Sequence, residues 1–111
     1  MNNLQDLSNK VKDWAGEKNL IHRENVPKQM MKVIEELGEL NSAILKDNKE
    51  GVIDGLGDVL VTVIILSNQL GYSPEYCLNM AYNEISGRTG RTVNGVFIKD
   101  LPSLPSGYPH I

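Results

Sequence analysis

Residues 52–70 read VIDGLGDVLVTVIILSNQL, and whether this stretch is a strand or a helix decides the fold. Val59, Val61, Val63, Ile64 and Ile65 favour a strand by composition. Length decides against it, because strands seldom run so far without a break, whereas a helix of this length is ordinary. Gly71 follows as a natural C-terminal stop. The segment therefore reads as a helix from Val52 to Leu70, apolar nearly all round between Val59 and Leu66. Such a helix needs cover on more than one side, which predicts a homodimer or a tetramer made of dimers.

The neighbouring segments are helical too. Met30, Val33, Ile34, Leu37, Leu40, Ile44 and Leu45 recur every three or four residues. Pro27 suits the first turn of that helix, which closes near KDNKEG at 46–51. Leu4, Leu7, Val11 and Trp14 mark an earlier helix ending near Gly16, and EKNLIHRENV at 17–26 reads as a connecting loop. Ser73, Pro74 and Glu75 form a helix start of cap, first-turn proline and acid. Leu78, Ala81, Tyr82 and Ile85 continue that helix until Gly87. Asn94-Gly95, set between Thr92-Val93 and Val96-Phe97-Ile98, predicts a hairpin. The expected architecture is an all-α four-helix bundle over residues 1–100 with a short C-terminal hairpin. The proline-rich tail LPSLPSGYPHI at 101–111 is expected to be an extended or mobile arm.

Composition excludes several classes of function. At 111 residues, with 41% hydrophobic and 23% charged residues, the chain fits one globular domain. A formal charge of −3 and a pI near 5.3 argue against a nucleic-acid surface. One cysteine, Cys77, fits a reducing compartment, and MNNLQDLSNKVKDW lacks the pattern of a signal peptide. VLVTVIIL is too short to span a bilayer, so a cytoplasmic protein without a membrane partner is expected.

Two acidic groups interrupt the apolar pattern. Glu35, Glu36 and Glu39 lie within KVIEELGELNSAIL (32–45), and Asp54 and Asp58 within the most hydrophobic segment. On a helix, residues three or four apart share a face, so each group is a cluster of like charges. Leu37, Leu40, Leu56 and Val59 are expected to set both clusters at the border of a buried face. A short connection predicts that the two helices pack antiparallel, with the clusters facing one another. Convergent carboxylates without His or Cys suit a hard cation, Mg²⁺ or Mn²⁺, which meets its substrate through phosphate oxygens. The bland alternative is a pair of solvated helix faces.

These residues resemble the MazG-like family of all-α nucleoside triphosphate pyrophosphohydrolases, whose motif is EExxE followed on the next helix by ExxD. Glu35-Glu36-Leu37-Gly38-Glu39 matches the first half, and Asp58, in the context GDVL, matches the Asp of the second. The motif's Glu position falls on Gly55, with Asp54 one residue earlier. AYNEISGRTGRTVNGVFIKD (81–100) is similar to the small, phage-type members. The resemblance, which runs from Leu4 to Lys99, implies Mg²⁺-dependent hydrolysis of a nucleoside triphosphate between its α- and β-phosphates. It implies that Glu36, Glu39 and Asp58 are metal ligands, with Glu35 a further ligand or the group that orients water. Asp54 takes a ligand role directly or through water. Asn83, Arg88 and Lys99 are implied substrate contacts, and Lys32 either meets phosphate or offsets Glu35 as an i,i+3 pair. Trp14 either stacks on a base or packs in the core. Arg91 reads as a solvated basic residue, Cys77 as a packed or surface thiol, and His22 and His110 as incidental. Because of Gly55, a non-catalytic nucleotide-binding or interaction module with the same fold stands as the alternative function, and a purely structural bundle as a third.

Overall fold

The computed structural model describes residues 2–100. The chain divides into a first unit that ends at Leu78 and a second that begins at Asn79. In the first unit, α1 (Leu4–Glu17) opens at Asn3, whose side-chain oxygen accepts the Asp6 N–H at 2.8 Å. The stretch read as a loop contains a short 3-10 turn at Arg23–Asn25, which feeds directly into α2 (Val26–Leu45). The deciding segment is a helix, α3 (Lys49–Gln69). It begins at Lys49 rather than Val52 because Asn48 caps it, with Oδ1 accepting the Gly51 N–H at 3.1 Å.

Helices α2 and α3 form an antiparallel pair. Their short turn is made possible by Asp47, which adopts a left-handed φ of 53°. Ala43 lies by Gly51, Leu40 lies by Gly55, and farther along the Gln29 Nε2 donates to the Thr62 carbonyl at 3.1 Å. Helix α1 packs on α3 as well. The Leu20 carbonyl that follows α1 accepts from Gln69 Nε2 at 2.9 Å and from Asn25 Nδ2 at 3.2 Å.

The core is made of small or medium side chains: among the described residues, Ala15, Val33, Ala43 and Ile65 are its buried apolar members. Leu40 and Val59 are half-buried, as the border position requires. Leu37 and Leu56 correct that expectation, being 48% and 52% exposed. The reason is that the helices approach through Gly51, Gly55 and Ala43, so the larger side chains splay to the sides.

Helix α4 (Pro74–Ser86) starts in the first unit, where Ser73 Oγ accepts the Tyr76 N–H at 3.0 Å. The Ser8 hydroxyl of α1 holds the Glu75 carboxyl below its ordinary range, with Gln5 and Lys12 adding to the effect. The second unit carries the end of α4 and a hairpin of β1 (Gly90–Val93) and β2 (Val96–Lys99). The strands run antiparallel with Gly90 opposite Lys99 and Val93 opposite Val96. Asn94 and Gly95 make the turn at positive φ, 50° and 79°, as their sequence predicts. Four helices with a hairpin make the all-α architecture that the periodicity requires. The arm expected at 101–111 lies outside the described residues. Among the described residues, no helix is long and apolar enough to cross a membrane.

Candidate functional site

Where α2 and α3 turn into one another, the first unit contains a cavity of about 340 Å³. Glu39 from α2 and Asp54 and Asp58 from α3 supply its carboxylates. Ala43, Gly51 and Gly55 supply its small floor. Helical spacing explains the grouping: Glu39, Ser42 and Lys46 share a face of α2, and Asp54 and Asp58 are one turn apart on α3. Glu39 of the first acidic group and both aspartates of the second therefore border one cavity, whereas Glu35 and Glu36 do not line it.

Gly55 has a steric reason to be glycine. A Cβ there would stand 3.1 Å from Leu40 Cδ1 and 3.2 Å from the Leu40 Cα, tighter than ordinary contact. The position faces Leu40 and the backbone of α2, so any side chain there requires that neighbour to give by a few tenths of an ångström. Asp54, one residue earlier, lines the same cavity with its carboxylate.

Glu36 is half-buried, and its Oε2 is sealed from solvent without a hydrogen-bond partner among the described residues. Burial, first, and then the neighbouring Glu39 carboxylate raise its carboxyl above the ordinary range, with Asp58 and Glu35 adding repulsion. A sealed carboxylate oxygen among other carboxylates calls for a proton or a cation. Glu35 itself is exposed and pairs with Lys32 across 3.8 Å, the i,i+3 arrangement expected from spacing.

The donor set fits a hard cation, because it offers only oxygen. Among the described residues, no three Asp, Glu, His or Cys side chains converge closely enough to hold an ion by themselves.

The remaining sequence candidates fall in both units. Trp14 is on α1 and 48% exposed, so it is not a core residue, and neither it nor Lys32 lines the cavity. Asn83, Arg88, Arg91 and Lys99 belong to the second unit. There the Arg88 guanidinium holds Glu84 at 2.9 Å, the Asn83 carbonyl accepts from Ser86 Oγ at 3.1 Å, and Lys99 ends β2. Sequence reasoning missed Ser42, Lys46 and Asn48, which line the same cavity. Their signals were available: Lys46 follows Glu39 by two helical turns, and Asn48 is an N-cap residue.

Fold and site together define a class: all-α proteins in which an antiparallel helix pair carries an acidic cavity at its turn. Comparison with known proteins narrows it. The MazG nucleotide pyrophosphohydrolase domain matches residues 25–88, more than half of the chain, and the chain belongs to this family. An uncharacterized 18.2 kDa protein in the rep-hol intergenic region of Haemophilus phage HP1 (strain HP1c1) is 36% identical over 69 residues. That similarity covers 62% of this chain and 42% of the phage protein, so it spans less than half of the relative's length. No solved structure matches the chain.

Proposed function

We propose that this chain hydrolyses nucleoside triphosphates between the α- and β-phosphates, releasing a nucleoside monophosphate and pyrophosphate, with Mg²⁺ (or Mn²⁺) as cofactor. The observation that carries the reading is the meeting of Glu39, Asp54 and Asp58 in one cavity, beside the sealed Glu36 oxygen. Membership of a nucleotide pyrophosphohydrolase family supports the reaction class. Glu36, Glu39 and Asp58 would hold the cation, with Asp54 a direct or water-mediated ligand. When bound, the cation supplies charge neutralisation of the phosphates. Glu35 is a further ligand or orients the attacking water. The water oxygen bonds to the α-phosphorus, its proton passes to a cavity carboxylate, and the α–β bridging bond breaks toward pyrophosphate. A cytoplasmic setting belongs to the same reading, supported by the single free thiol of Cys77.

The test is incubation with Mg²⁺ and a panel of ribo- and deoxyribonucleoside triphosphates, followed by separation of products. Monophosphate and pyrophosphate are expected, with Glu39→Gln reducing turnover by about 10²–10⁴-fold. Unchanged turnover in Glu39→Gln would remove these carboxylates from the mechanism. Gly55, at the position where the family motif carries a glutamate, favours the second reading, a nucleotide-binding or interaction module without turnover. A robustly active wild type eliminates it.

A further inference from the structure

The cavity has two chemically different ends, and the carboxylates account for only one. At the other, Lys46 closes α2 and Asn48 opens α3, and both line the cavity. Among the described residues the ion pairs are Lys32 with Glu35 and Arg88 with Glu84. Lys46 therefore shares the cavity with three carboxylates while pairing with none of them. The Asn48 amide is fixed, because its Oδ1 accepts the Gly51 N–H. Its Nδ2 lies over Gly51, where a Cβ would stand 2.6 Å away, so glycine at 51 leaves the amide its place. One end thus offers an ammonium and a held amide donor, the other a set of anionic oxygens.

Size and lining indicate what spans the two ends. Among the described residues, no aromatic or large apolar side chain borders the cavity, so none of them offers a stacking surface to a nucleobase there. Its volume of about 340 Å³ is near the lower limit of ligand pockets, about 300 Å³. A short polyphosphate chain suits it better: a cation can neutralise the chain at the carboxylate end, and Lys46 can meet its oxygens at the other.

We infer that Lys46, assisted by Asn48 Nδ2, is the anion-binding end of this cavity and holds the phosphate oxygens of a pyrophosphate group. The group is either part of a bound triphosphate or the released product. This deepens the hydrolase reading and rests on its placement of the cation, but binding can be measured apart from turnover. The probe is inorganic pyrophosphate, titrated calorimetrically at saturating Mg²⁺ into wild type, Lys46→Gln and Lys46→Arg. Triphosphate turnover is measured on the same samples, and circular dichroism checks their fold.

Lys46→Gln is expected to weaken pyrophosphate binding by about tenfold or more, the effect of losing a charge-assisted contact. Lys46→Arg should keep most of the affinity. The Mg²⁺-induced rise in melting temperature should persist in Lys46→Gln, and KM for triphosphate should rise more than kcat falls. Equal pyrophosphate affinity in wild type and Lys46→Gln overturns the inference, even if wild type is an active hydrolase. A wild type that turns over triphosphate but does not bind pyrophosphate also overturns it. Lys46-dependent pyrophosphate binding without any turnover upholds the inference while defeating the hydrolase reading.

Discussion

Glu36 allows the electrostatics of the site to be tested without a substrate. Its carboxyl is raised by burial and by Glu39, so the folded state holds its proton more tightly than the unfolded chain does. The resulting stability is fully present below the ordinary value of 4.5 and is lost as pH rises through the higher folded value. Metal-free wild type should therefore fall behind Glu36→Gln in melting temperature as pH climbs from acidic to neutral. Mg²⁺ at neutral pH should stabilise wild type more than the variant. Parallel melting curves across that range, with and without Mg²⁺, would sink this account. The glycines make a second residue-scale test, by contrast of surroundings. Nothing lies within 4 Å of a Cβ placed on Gly38, so Gly38→Ala should stabilise by about 1 kcal/mol through helix propensity. Gly55→Ala should forfeit that gain against Leu40 and destabilise by about 1 kcal/mol or more. Gly55→Glu should be worse still, and should not improve Mg²⁺ binding. Chemical denaturation of the three variants checks the order.

At the scale of elements, much was legible and the omissions have physical causes. The length of the apolar run identified α3 as a helix, and Asn94-Gly95 located the hairpin turn, because both signals are local. The start of α3 was missed because KDNKEG reads as a loop until Asn48 is seen to cap. The two acidic groups stood out as charges in apolar segments, and an antiparallel pair brings Glu39 of one to the same cavity as Asp54 and Asp58 of the other. Lys46 did not stand out, since a lysine at a helix C-terminus reads as a complement to the helix dipole. Nor could the chain reveal that position 55 looks onto the Leu40 backbone, which depends on the helix crossing. One element contact invites measurement. Gln69 is buried, donates from Nε2 to the Leu20 carbonyl, and leaves its Oε1 sealed without a partner among the described residues. Gln69→Met removes the bond and the orphaned oxygen together, while Asn25 still serves the Leu20 carbonyl. Its effect should stay within about 1 kcal/mol. Gln69→Glu puts an unpaired charge in the same place and should cost more than about 2 kcal/mol. Equal stability of the two variants in urea would show that this latch is not closed in solution.

The whole molecule poses a question that one chain does not answer. Among the described residues, no large side chain is fully buried, and the buried apolar residues are few. A chain with so thin an interior has little apolar burial to set against the entropy of ordering it. On α3, Ile53, Leu56, Leu60 and Val63 are 70%, 52%, 54% and 43% exposed. Their alternating spacing of three and four residues is that of a helix–helix seam. Gly55, Thr62 and Ile65 are buried, so α3 meets its own chain along one face and leaves this stripe uncovered on another. Such a stripe on a two-fold axis meets its own copy, each residue facing its counterpart or near neighbour, and the contact closes without leaving a free end. We propose that α3 pairs with the α3 of a second copy, in a homodimer or a tetramer built from such dimers. Sedimentation at micromolar concentration should show at least twice the 12.3 kDa mass of the chain. Leu60→Glu, which places a charge at the centre of the seam, should shift the population to single chains and lower the melting temperature. Asp54 and Asp58 lie on a different face of α3 from the seam. The loss of pairing in Leu60→Glu should therefore be separable from Mg²⁺ binding at concentrations where the variant remains folded. A single 12.3 kDa species for wild type would refute the pairing.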